Sequence, residues 1–72
     1  MMLIHVFAVN VREYRIQRGL SQEALAEKAG LHRTYISAVE RERRSICIEN
    51  IEAIAKALEV EPYMLLKNKE DI

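Results

Sequence analysis

Cysteine, proline and glycine are scarce in this chain: of 72 residues, one is cysteine, one proline and two glycine. A lone Cys47 excludes an intramolecular disulfide and a cysteine zinc site, and it fits a reducing cytoplasm. We read it as a small, partly buried residue. Two glycines leave little room for a phosphate-cradling loop, and no nucleophile stands in a recognisable pattern with a base, so an enzyme is the weakest reading. His5 and His32 are too few and too far apart to suggest a metal site, and no metal or cofactor is expected. The apolar opening, Met1 to Val9 broken only by His5, is much shorter than a membrane span and lacks the basic start of a signal peptide. It reads as an extension of the first helix, or as an arm covering the core or a partner.

Net charge is missing too, with 11 basic against 11 acidic residues, which at first argues against nucleic acid. The distribution reverses that impression. Residues 1 to 44 hold 8 basic and 5 acidic side chains, and residues 45 to 72 hold 3 and 6, so the two parts carry +3 and −3. All seven arginines (Arg12, Arg15, Arg18, Arg33, Arg41, Arg43, Arg44) lie in the first part. Guanidinium groups suit bidentate contact with phosphate or guanine, although one or two of these are expected to pair with glutamates or to solubilise helix faces instead. The length sets a single domain, 1–72, which buries only about 60% of its unfolded surface, so self-association would help it.

Residues 21 to 41 lay out two short helices around a glycine turn, a helix-turn-helix. Ser21 caps the first, Leu25, Ala26 and Ala29 mark its buried stripe, and Gly30 supplies the positive φ of a sharp turn. Small side chains at Ala26 and Ala29 let two steeply crossing helices approach. In the second helix, at about 100° per residue, Ile36 and Val39 project near 300° and 240° from Arg33. Arg33, Thr34, Ser37, Ala38 and Arg41 fall roughly between 0° and 140°. One face is core and the other is small, polar and basic, the shape and chemistry of a helix that enters a DNA major groove.

Upstream, Phe7, Val11 and Tyr14 recur at helical spacing and Gly19 closes a first helix ending near Arg18. Downstream, Ile51, Ile54, Ala55 and Leu58 mark a fourth helix, Glu49 to Leu58. Pro62 opens a short fifth, Pro62 to Leu66, after which the charged Lys67 to Ile72 is expected to fray. The fold class is therefore all-α, a compact five-helix bundle without strands. The connector Arg41-Glu-Arg-Arg-Ser45 would lie beside the DNA backbone if the second motif helix sits in the groove, fixing register rather than reading sequence. An ordinary charged loop is the competing view.

Gln22-Glu-Ala-Leu-Ala-Glu-Lys-Ala-Gly-Leu, Arg33-Thr-Tyr-Ile-Ser-Ala-Val-Glu-Arg and Ile51-Glu-Ala-Ile-Ala-Lys-Ala-Leu together resemble the XRE family of helix-turn-helix regulators, over roughly residues 7 to 66. His32 to Arg41 with Arg43-Arg-Ser45 look most like the controller proteins of bacterial restriction-modification systems. The resemblance implies a lambda-repressor-like DNA-binding domain. It places Arg33, Thr34, Ser37 and Ala38 at base edges. It places Gln22 on a phosphate, and Tyr35, Arg43, Arg44 and Ser45 along the backbone or adjacent groove, beside the Arg41 of the connector. It pairs Arg15 with Glu40 as a structural ion pair. Controllers dimerise through their C-terminal helices, here residues 49 to 66, and Ile48 just before them with Leu58, Val60, Tyr63, Met64 and Leu65 offers apolar material for either core or interface. The implied partners are double-stranded DNA with an inverted repeat, a second copy of the chain and, beside a promoter, RNA polymerase.

Two departures from the controller pattern stand out. Arg41-Glu42-Arg43 replaces a turn that usually contains Gly or Asn, and His32 stands where an acidic or small capping residue is usual. The rival readings are a phage-type repressor or autoregulatory antitoxin of the same fold, and a protein-interaction module that keeps the helices without reading DNA.

Overall fold

The structure, a computed structural model, describes residues 2–68. Five helices form: α1 Leu3–Gln17, α2 Gln22–Ala29, α3 Arg33–Glu40, α4 Ile48–Leu58 and α5 Pro62–Leu66, with no strand among the described residues. The apolar opening is the start of α1 rather than a free arm, and Val6, Phe7 and Ala8 are buried. The frayed tail expected beyond Lys67 falls mostly outside the described residues.

Each turn follows from its local chemistry. Ser21 Oγ accepts the backbone N–H of Ala24 at 3.0 Å and caps α2. Gly30, at φ 71°, ends it in a left-handed residue, with Leu31 N–H donating to Ala26 O at 2.8 Å. The ends of α3 and α4 close in the same way without glycine. Glu42 and Glu59 both sit at φ 61°, with Arg43 N–H donating to Ala38 O and Val60 N–H to Ala55 O. His32 does precede α3 as a cap residue without a side-chain cap bond, the weak start its identity implied.

The core gathers Phe7 and Val11 from α1, Leu25 and Ala26 from α2, Ile36 and Val39 from α3, Ile54, Ala55 and Leu58 from α4, and Leu65 from α5. Helix α2 packs on α3 and α4, while α1 lies across α5, α3 and α4. Two of the six residues set aside for an interface are thereby reassigned. Leu58 and Leu65 are 0% exposed within the protomer, because their helix faces turn onto α1 and its neighbours. A third expectation also changes: Cys47 is exposed, not partly buried, since it is the extended cap residue before α4, outside the packed stripe.

Polar side chains of α1 complete the ends of the C-terminal helices. Asn10 is buried, and its Nδ2 donates to the carbonyls of Met64, Leu65 and Lys67 at 3.3, 3.0 and 2.8 Å. Arg18, just past the end of α1, donates from Nε to Leu58 O at 2.8 Å and from Nη2 to Glu59 O at 3.2 Å. Helix ends leave carbonyls without intrahelical partners, so these two residues supply what α4 and α5 cannot.

Glu59 adopts a left-handed conformation that disfavours any side chain. Replacing Glu59 by Gly should therefore raise unfolding free energy by about 0.5–1 kcal/mol, after allowing for glycine's freer unfolded state. Urea denaturation reads the change directly; a loss of stability would mean that the Glu59 side chain makes a contact worth more than its strain.

Candidate nucleic-acid interface

Helix α3 has two chemically distinct sides. Ile36 and Val39 are fully buried, whereas Arg33 and Thr34 in its first turn are exposed. Ser37 and Ala38, on the same side further along, are half-buried. Among the described residues no side-chain hydrogen bond engages Arg33 or Thr34. The sequence-derived group Arg33, Thr34, Ser37 and Ala38 thus shares one surface, most open at its amino end.

What aims that surface is an ion pair behind it. Arg15 Nε donates to Glu40 Oε2 at 2.7 Å and Arg15 Nη2 to Glu40 Oε1 at 3.1 Å, a two-point contact between α1 and the last residue of α3. Gln22 Nε2 adds a bond to Glu40 Oε1 at 3.1 Å from the first residue of α2. The third guanidinium nitrogen, Arg15 Nη1, donates to Leu20 O at 2.9 Å. Side-chain exposure is 13% for Arg15 and 5% for Glu40. One carboxylate therefore joins α1, α2 and α3, and bidentate geometry fixes orientation as well as distance.

The loop after α3 is organised by Tyr35. Its hydroxyl donates to Ser45 O at 3.4 Å, and the Arg44 guanidinium lies 5.3 Å from its ring centroid, within reach of a cation–π attraction. Arg41 Nε donates to Ser37 O at 3.3 Å, near the carbonyl end of α3. Arg43 is exposed without a side-chain hydrogen bond among the described residues. The loop thus sets Arg41 against the carbonyl end of α3 and holds Arg44 and Ser45 to Tyr35. Gln22 is half-buried and held by Glu40, its backbone at the positive amino end of α2.

Two of the seven arginines serve the protein's own frame: half-buried Arg15 holds the Glu40 pair, and Arg18, exposed, reaches the carbonyls at the end of α4. Sequence reading anticipated an Arg15–Glu40 pair but not the carbonyl contacts of Arg18 and Asn10, which depend on distant segments. It also passed over His5, whose Nδ1 lies 2.7 Å from Glu42 Oε2. The only hint was a single polar residue in an otherwise apolar opening. Among the described residues, no three His, Cys, Asp or Glu side chains gather to hold a metal. No helix there is long and apolar enough to cross a membrane.

The helix-turn-helix family profile matches residues 11–65. A hypothetical transcription factor of Neisseria meningitidis serogroup B is 54% identical over 61 residues, 85% of this chain and 58% of the relative, so the chain spans little over half that protein's length. The crystal structure of the Neisseria factor superposes with a TM-score of 0.95 at 48% identity, covering 97% of this chain and 80% of that one. Control protein C.SmaI of Serratia marcescens is 49% identical over 85% of this chain and 73% of its own length. The restriction-modification controller protein C.Esp1396I, solved as a tetramer with its natural 35-base-pair operator, has a TM-score of 0.83. It is 37% identical over 90% of this chain and 86% of that one.

Removing the Glu40 carboxylate leaves the Arg15 charge in a nearly closed setting. Glu40→Ala should cost about 3–5 kcal/mol of stability, enough to unfold much of so small a domain. A loss under about 1 kcal/mol in chemical denaturation, the worth of a surface pair, would show that water reaches Arg15 freely.

Proposed function

This chain belongs to the XRE-type helix-turn-helix family, whose members are DNA-binding regulators rather than enzymes, and from that premise we propose that it is a sequence-specific transcriptional regulator, the homodimeric controller protein of a restriction-modification system. The observation that carries the reading is the face of α3 on which Arg33 and Thr34 stand exposed, followed by a loop that carries Arg41, Arg43 and Arg44. A helix of this width fits the major groove, where an arginine at its amino end meets guanine O6 and N7. Arg33 takes that role. Thr34, Ser37 and Ala38 are small enough to let the backbone approach the base edges, and Thr34 and Ala38 offer methyl groups to thymine.

Arg41, Arg43, Arg44, Ser45, Tyr35 and Gln22 serve the sugar-phosphate rails. Arg44 comes from a stacked position on Tyr35, and Gln22 comes braced by Glu40. These contacts supply salt-sensitive affinity and hold the reading helix in register.

The dimer forms through the C-terminal helices. Ile48 and Tyr63 are 80% and 66% exposed, large apolar side chains without a place in the protomer core, with half-buried Val60 and Met64 beside them. Pairing there sets two α3 helices about one helical turn apart, roughly 34–36 Å, on an inverted repeat. Acting in the bacterial cytoplasm beside a promoter, such a dimer has RNA polymerase as a further partner.

Selection of bound sequences from a random duplex pool should return an inverted repeat; enrichment of no sequence would leave a protein-interaction module as the reading. Arg33→Ala should preserve the fold and cost about 1–3 kcal/mol of discrimination at one base pair of each half-site. Arg43→Ala should instead weaken all sequences alike, flattening the slope of log affinity against log salt by about 0.9 per phosphate contact. An unchanged slope would make Arg43 a solvated bystander.

A further inference from the structure

Glu42 is the acidic member of a segment, residues 41 to 45, that also carries Arg41, Arg43 and Arg44. A carboxylate between two arginines has obvious partners on either side. The structure shows another arrangement: among the described residues neither Arg41 nor Arg43 pairs with Glu42, and Arg41 instead donates to Ser37 O. The Glu42 carboxylate is engaged by His5, 37 residues away in sequence, through the 2.7 Å contact from Nδ1 to Oε2. An ionised carboxylate only accepts hydrogen bonds, so Nδ1 is the donor. The contact runs from the first turn of α1 to the left-handed residue two positions past the end of α3.

We propose that His5 is a positioning residue for DNA binding: it holds the Glu42 carboxylate against α1 and so leaves Arg41 and Arg43 free for phosphate. The inference rests on the reading of this loop as a phosphate-contacting segment. Without His5, Glu42 turns to a neighbouring guanidinium. Each such pairing removes one cation from the phosphate-facing set and leaves a negative charge beside the DNA backbone. The opening of α1 thereby tunes a surface that it does not form. Because the His5 side chain is 60% exposed, replacing it does not disturb the core.

The test uses the full chain and the duplex recovered by selection. His5→Ala should weaken binding about two- to five-fold, the range an exposed charge contact supports, with an unchanged melting temperature. Glu42→Gln alone should stay close to the parent chain. The double variant His5→Ala with Glu42→Gln should regain the parent affinity, because a neutral amide competes poorly for arginine. In the free protein, the Nε–Hε NMR signals of Arg41 and Arg43 should move in His5→Ala and return in the double variant, a readout that needs no DNA. If the parent chain selects an operator but His5→Ala binds it equally well and leaves both signals in place, the role of His5 is overturned and the regulator reading stands. A double variant as weak as His5→Ala would also overturn it, assigning the loss to α1 itself. A parent chain that retains no duplex would remove the regulator reading and this role together, whatever the arginine signals do.

Discussion

The arrangement of the first three helices depends on one carboxylate. Glu40 closes α3, and its two oxygens receive Arg15 from α1 and Gln22 from α2 in a setting nearly sealed from water. Apolar packing of Leu25, Ile36 and Val39 brings these helices together, but non-directional attraction tolerates a range of crossing angles. Hydrogen bonds to a charged group do not, because each must keep its length and angle to offset the cost of removing the charges from water. Where α3 points is thus decided by polar geometry, while apolar burial decides that it packs at all. A small domain has few kilocalories to spare, so this division matters more here than in a larger protein.

Helix α1 then serves as a spine for the remainder. It contributes Phe7 and Val11 to the core, Arg15 to the Glu40 network and Asn10 to the end of α5. Arg18, its cap residue, does the same for α4. Short helices have a high proportion of unsatisfied backbone groups, and α5, with five residues, has little internal hydrogen bonding of its own. Long-range side-chain contacts from α1 make up that deficit. The resulting chain of contacts runs from α3 through α1 to the helices that bear Ile48 and Tyr63.

Much of this was legible in the sequence because it is local. Ser21, Gly30 and Pro62 mark helix starts and stops through their own backbone chemistry, and the 3.6-residue spacing of Ile51, Ile54, Ala55 and Leu58 survives any tertiary context. The open side of α3 followed from the same arithmetic. Contacts between distant segments leave no such trace. Asn10 looks like a surface residue of an amphipathic helix until the end of α5 arrives beside it, and nothing local marks Arg18 as the partner of the α4 carbonyls. Leu58 and Leu65 could not be assigned to core or interface, since an apolar residue near the end of a small domain suits both. Cys47 was misjudged because residue type suggests burial, whereas its place as the cap of α4 turns it outward.

The clamping of both working ends onto α1 has a consequence for the DNA that the proposed dimer would accept. With α3 and the C-terminal helices held to one rod by directional bonds, the two α3 helices of that dimer would behave as the fixed jaws of a caliper. One base pair added between half-sites moves them about 3.4 Å apart and turns one roughly 35° around the duplex axis. The bonds from Arg15, Asn10 and Arg18 along that path resist either change. Bending or twisting of the intervening DNA would then make up the mismatch, and bases that such a dimer never touches would become part of what it recognises.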